Sequence, residues 1–181
     1  MTSDRPGGRS QLEVGAALGF DLPPVAAPLA AYQPAVTAGN LVFTAGQLPV
    51  LNGQLTATGR VGAAGVPVAE AAGAARTAAL NALAAAFSAV PPGARLTLVK
   101  AVVFVAAEEG FTEHAVVADG ASELFQAALG AAGVHARSAV GVASLPKGAP
   151  VELEAVFVVA AGLDIPETGA SGGAPAQQQP T

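Results

Sequence analysis

The sequence predicts an α+β sandwich: one mostly antiparallel β-sheet with two helices on one face. Three observations predict it. β-branched runs and long alanine-rich stretches of helical period succeed one another in the order ββ(β)αβαββ. The chemistry between the first two runs and between the last two is that of tight turns, which favours antiparallel pairing. Hydrophobic residues make up 52% of a 181-residue chain, ample for one core and one domain.

Residues 1 to about 10 read as a loose start, and the Pro-rich "LPPVAAPLAAYQP" (22–34) as an extended arm lying on the domain. Residues 1–29 are therefore assigned to an N-terminal arm and 30–162 to the folded domain. "AVTAG" and "NLVFTAGQLP" (35–49) read as two strands joined by a Gly-Asn turn. "GQLTATGRVG" (53–62) is a short edge strand or a loop. In residues 66–90, Val68, Ala72, Ala75, Ala79, Leu83 and Phe87 recur at three- and four-residue steps, which predicts a helix. Pro67 suits its first turn, and Pro91-Pro92-Gly93 stops it. "RLTLVKAVVFVAA" (95–107) is a long strand. Residues 110–133 form a second helix, open to interruption near Asp119-Gly120 and capped at Gly130 or Gly133. Strands at 136–144 and 151–160 flank "LPKGAP", which suits a hairpin loop. The Gly-, Pro- and Gln-rich residues 163–181 have too little apolar surface to offset ordering entropy, which predicts a disordered tail.

Two helices cover only one face of the sheet. Strand 95–107 is apolar on both, with Leu96, Leu98, Val102 and Phe104 on one face and Val99, Ala101, Val103 and Val105 on the other. Strand 151–160 places Leu153, Ala155, Phe157 and Val159 on one face, and Glu152, Glu154, Val156 and Val158 on the other. The second face is half-apolar and has no intramolecular cover, so the sequence predicts an oligomer.

The formal charge of −5, without a basic run, lacks the electrostatic footprint of a nucleic-acid binder. The absence of cysteine excludes disulfides, thiolate nucleophiles and zinc–sulfur sites. No cluster has metal-ligand spacing, no motif calls for a cofactor, and "GRVGAAGVP" lacks the ending and context of a phosphate loop. With no apolar signal core and no run near the roughly 20 residues that span a membrane, a soluble cytoplasmic protein is expected.

Charged residues are scarce, so Arg137 at the entry of an apolar strand is conspicuous. It reads either as a strand-edge charge paired with Glu152 or another acid, or as a planar fork gripping a carboxylate. Gly46 leaves room for a ligand at backbone N–H groups, or for close strand packing. Tyr32 is a candidate cleft wall whose hydroxyl needs a wet end, Phe43 reads first as core, and His135 reads as structural.

"GNLVFTAGQLP", "ARTAALNALAA", "VVFV" and "HARSAVGVASLPKGAPVELEAV" together resemble the Rid family, also called the YjgF/UK114 family of reactive-intermediate deaminases. They look closest to its longer, endoribonuclease-labelled YjgF-like branch, across about residues 30–160. The resemblance implies a chorismate-mutase-like α+β fold and a homotrimer whose sheets face inward as a barrel, with clefts between subunits. There an arginine, here Arg137, pairs with the carboxylate of a 2-imino or 2-enamino acid. A glutamate, here Glu152, positions the water that releases ammonia and leaves a 2-keto acid. The alternative on the residues of Glu152 is a salt bridge to Lys100, Arg95 or Arg137. The main branch carries Ser, Cys and Asn where this chain has Ala45, Ala139 and Asp119, which line the same substrate cleft. A trimer that binds a small carboxylate without turnover is the competing function, ahead of RNA cleavage.

Overall fold

The computed structural model describes residues 7–25 and 31–160; the predicted tail at 163–181 lies outside them. Helix α1 (Gln11–Leu18) occupies part of the segment that the sequence pattern assigns to an arm. It begins in a capping box: the Ser10 hydroxyl accepts from Glu13 N, and the Glu13 carboxylate accepts from Ser10 N at 2.8 Å. Arg9 exchanges backbone hydrogen bonds of 3.1 and 2.9 Å with Leu96, so the start predicted to be loose is pinned at this point. Val14 is fully buried as α1 packs on the helix formed by His114–Leu129. Ser-x-x-Glu followed by Gly19 is a legible helix signature that the sequence reading did not use.

The main sheet holds β1 (Ala35–Ala38), β2 (Leu41–Thr44), β5 (Leu96–Ala106), β6 (Ala136–Val142) and β7 (Val151–Val159), in the order β1-β2-β7-β5-β6. Only β5 and β6 run parallel. The β1–β2 hairpin forms as the sequence predicts, with Gly39 at φ 58° as the first of two turn residues. A separate ribbon of β3 (Val50–Leu51) and β4 (Gln54–Leu55) replaces the edge strand or loop expected at 53–62.

The predicted hairpin between the last two strands does not form. The β6 strand pairs with β5 after the crossover through the second long helix, and β7 inserts between β5 and β2. Turn chemistry specifies that the chain reverses, not which strands then pair. Residues Pro146–Gly148 make a short 3₁₀ turn in which Lys147 takes a left-handed φ of 56°.

Helices α2 (Val68–Ser88) and α3 (His114–Leu129) cover one face of the sheet. The α3 helix runs unbroken through Gly120, where the sequence allows an interruption. A Cβ at Gly120 would fall onto the Ala72 carbonyl, so this glycine is required by the close approach of α2. On β5 a bulge between Leu98 and Lys100 inserts one residue against β7. It flips the alternation, so Leu96 and Leu98 join Ala101, Val103 and Val105 under the helices, and not Val102 and Phe104 as plain alternation predicts. The faces assigned to β7 stand as read. Val36, Phe43 and Val140 remain exposed, and no element among the described residues covers that outer face.

Candidate functional site

The end of β2 continues into an anchored crossing. Ala45 N donates to Pro34 O, and Gln47 exchanges backbone bonds of 2.7 and 3.0 Å with Leu153. This holds Gly46 beside Glu152. A Cβ at Gly46 would overlap the Glu152 carboxylate, so glycine here lets the carboxylate lie against the backbone. Ala45 adds only its carbonyl, which accepts from Gln47 Nε2 at 3.2 Å. No hydrogen bond among the described residues uses the Gly46 N–H. A cleft of about 530 Å³ opens at this point, walled by Tyr32, Leu48 and the β3–β4 ribbon, with Gln47, Lys147 and Glu152 at its polar positions.

Burial lifts the Glu152 carboxyl above its ordinary value, and the neighbouring negative charge of Glu154 adds to the effect. Among the described residues no cation is within ion-pair distance of it, so the salt bridges to Lys100, Arg95 or Arg137 considered from the sequence do not form. A carboxyl shifted in this direction holds a proton more readily than an exposed one. Asn81, a buried amide in alanine-rich α2, donates to Leu48 O and Val50 O at 2.9 and 3.0 Å and so fixes the cleft wall. The Thr44 hydroxyl accepts from Ala155 N at 2.9 Å; it is committed to the sheet and supplies no group to the cleft.

The second cluster lies on the edge strand β6, two strands from β7. Arg137 Nη1 donates to Asp119 Oδ1 at 2.8 Å and to Ser122 Oγ at 2.9 Å, and Nη2 donates to Ala115 O at 3.3 Å. Asp119 and Ser122 stand three residues apart on α3, so both reach the same guanidinium. Arg137 is thus paired with another acid, as one of the two sequence readings has it. Three of its five N–H groups are used within the described residues, and two are left for an external acceptor. Ala139 follows on the same face of β6, half-buried against the core.

The two clusters do not meet within the chain. Arg137 is in register with Ala101 and Ala155, which face the helices. Glu152 is in register with Phe104, itself opposite Val140, on the outer face. Tyr32, Gly46 and Glu152 share the cleft, with Ala45 adjoining it, while Arg137 and Asp119 pair separately at the β6 edge, and Ala139, two residues along the same face of β6, packs on the core. Lys147, Asn81 and Ser122 went unnoticed in the sequence. A lone Asn within an alanine-rich helix and a Ser one turn after Asp119 were the available signals; nothing local to Lys147 places it at a cleft.

No group of three metal-ligating side chains gathers among the described residues, and no described helix is long and apolar enough to cross a membrane.

Residues 12–150 match the family model described as "YjgF/chorismate mutase-like, putative endoribonuclease". The chain belongs to this YjgF-like family. It is 41% identical over 141 residues to protein TCP17 of Trypanosoma cruzi, across 77% of this chain and 88% of that protein. It is similar to the crystal structure of Atu1372 from Agrobacterium tumefaciens, described as of unknown function, with 39% identity, a TM-score of 0.69, and 83% and 92% of the two chains covered. It is also similar to E. coli TdcF with bound serine, with 26% identity, a TM-score of 0.53, and 76% and 93% covered. The three helices and mostly antiparallel mixed sheet are the YjgF/chorismate-mutase-like fold predicted from the sequence.

Proposed function

We propose that the protein is a 2-imino/2-enamino acid deaminase that works as a homotrimer, with each site shared between two chains. The observation that carries this reading is the division of the candidate residues. The edge strand β6 holds an oriented guanidinium with two unused N–H groups, and the outer face of the central strand β7 holds a half-buried carboxyl with no cation within ion-pair distance among the described residues. Each supplies what the other lacks. The exposed apolar residues Val36, Phe43 and Val140 on the outer face give neighbouring chains a surface to bury.

In the reaction, Arg137 of one chain grips the substrate carboxylate through a charge-assisted pair. Glu152 of the next chain accepts a proton from water as the water oxygen bonds to the C=N carbon and the π electrons move to nitrogen. That proton passes to the nitrogen to give the neutral carbinolamine. As this collapses, the hydroxyl proton passes by way of the Glu152 carboxylate to the nitrogen, the oxygen forms the C=O bond, and the C–N bond breaks so that ammonia leaves with a 2-keto acid remaining. The free Gly46 N–H is placed to stabilise developing negative charge. Such imines hydrolyse unaided, so holding and orienting supply most of the effect.

The competing reading is a carboxylate-binding trimer without turnover. Ala45 and Ala139 carry no hydroxyl or thiol, and the hydroxyl of Thr44 is committed to Ala155 N, which favours it; the serine bound to the relative TdcF is consistent with either. The test is release of ammonia and 2-oxobutanoate from 2-iminobutanoate generated in situ, with 2-oxobutanoate binding measured in parallel. Turnover above the uncatalysed rate supports the deaminase. Binding without turnover supports the competing reading, and neither result overturns both.

A further inference from the structure

Beside the arginine stands a second set of polar groups that the reaction above does not use. His135 Nδ1 lies 2.7 Å from Gly133 O, and Nε2 lies 3.2 Å from Ser122 Oγ. A carbonyl oxygen only accepts, so Nδ1 must carry the ring hydrogen, and in the neutral imidazole Nε2 is then an acceptor. The Ser122 hydroxyl therefore donates to His135 Nε2. With its hydrogen committed there, Ser122 Oγ presents its lone pairs to Arg137 Nη1, 2.9 Å away.

The chain of donors has one direction: Arg137 to Ser122, Ser122 to His135, His135 to Gly133 O. The buried ring of Phe125 packs edge-on to the imidazole at 5.7 Å between centroids and fixes the plane in which both ring nitrogens point. The far end of the chain is equally anchored, because Gly133 approaches the backbone of Phe125 too closely to admit a Cβ.

We infer that Ser122 and His135 are positioning residues which lock the rotation of the Arg137 guanidinium, so that its unused N–H pair faces an incoming carboxylate. Asp119 alone could not do this. It holds Nη1 by one oxygen and its side chain is 53% exposed, against 22% for Arg137, so it anchors the charge without fixing the plane. Ser122, half-buried and one turn further along α3, takes the second Nη1 hydrogen and, with Ala115 O on Nη2, completes a three-point hold on the guanidinium. The imidazole is held below its ordinary value by burial first, with the adjacent guanidinium adding to it; the hydrogen bond to Gly133 O opposes this without reversing it, and the neutral ring is favoured.

The inference rests on Arg137 gripping a carboxylate, and two independent measurements separate the two ideas. The first is the tautomer of His135 by ¹⁵N–¹H correlation in the full chain, which has only two histidines, with His114→Gln giving the assignment. The expected signature is a neutral ring protonated on Nδ1, with an altered Nε2 signal in Ser122→Ala. A ring protonated on Nε2, or an Nε2 signal unmoved by Ser122→Ala, overturns the relay whatever the protein binds. The second is the affinity for 2-oxobutanoate. Ser122→Ala should weaken it about ten-fold, His135→Phe should weaken it about three- to ten-fold while keeping the aromatic contact, and Ser122→Thr should restore it to within about two-fold. In turnover of 2-iminobutanoate the same variants should raise KM more than they lower kcat. Wild-type binding that is unchanged in Ser122→Ala and His135→Phe overturns the relay and leaves the proposed function standing. A wild type that binds no 2-oxobutanoate removes that function, and the tautomer result still decides the hydrogen-bond chain.

Discussion

Glu152 and Arg137 belong to the same sheet, and their surroundings are opposite in kind. Glu152 is partly buried with no cation within ion-pair distance among the described residues, and the like charge of Glu154 adds to the effect of burial. Arg137 is tied to α3 at three points, one of them a carboxylate. A carboxyl that must exchange protons gains from being desolvated and unpaired, because its two protonation states are then close in free energy. A guanidinium never exchanges its proton, so the fold can spend hydrogen bonds on its direction instead. In the proposed reaction the cleft region handles the proton and the β6–α3 region the orientation of the substrate.

The widest separation between the two regions is expected in turnover. Glu152→Gln removes the group that moves the proton and should lower imine hydrolysis by about 100- to 10,000-fold in a stopped assay, with 2-oxobutanoate affinity little changed. The same variant reads the pKa. The Glu152 carboxyl titrates higher folded than unfolded, so its stability contribution is present below its unfolded value near 4.5 and is lost as pH rises through the folded value. The melting temperature of Glu152→Gln should therefore exceed that of wild type at pH 8, and the gain should vanish at pH 4. A gain that is the same at both pH values would show that Glu152 is not desolvated.

Arg137→Ala should show the converse, a loss of about 30- to 1,000-fold in 2-oxobutanoate affinity in a folded oligomer, with Arg137→Lys recovering little because the fork is gone. If light scattering shows that the substitution instead dissociates or unfolds the protein, Arg137 is a structural charge and the contrast drawn above fails. Gly46→Ala forces a methyl onto the Glu152 carboxylate and should cost about 1–3 kcal/mol in denaturant unfolding. Most of this should be relieved in the double variant with Glu152→Ala, since the two sites are in contact. Additive losses would mean that Gly46 is required for the strand alone.

The smallest effect belongs to a control outside both regions. Ser10→Ala removes the cap of α1 and should cost about 1 kcal/mol with activity unchanged. The Glu13 carboxyl, held down to about 2 by the Ser10 N–H, Arg95 and the Ser10 hydroxyl, keeps this cap above its ordinary value near 4.5 and loses it as pH falls through about 2. Acid should therefore fray α1, measured by amide exchange at Val14.

Much of this molecule is written locally. Apolar spacing from Val68 to Phe87 determines a helix, Gly39-Asn40 determines a hairpin, and alternation along 151–159 determines which residues lie beneath the helices. The motif around Arg137 and Glu152 was likewise sufficient to nominate both residues. The sequence could not reveal that they face opposite sides of the sheet. That depends on β7 inserting between β2 and β5 and on the register of β6 along β5, both consequences of strand pairing between segments far apart in the chain. A hairpin-like turn at 145–150 carries no information about such pairing, and the bulge at Val99 reverses a face assignment that simple alternation gets wrong. Residue types with strong local preferences are legible one at a time. Which side chains come to share a cleft or a hydrogen-bond chain, as Gly46 with Glu152 or Arg137 with Ser122 and His135, is decided only when the whole sheet closes on its helices, because only then are their positions fixed relative to one another.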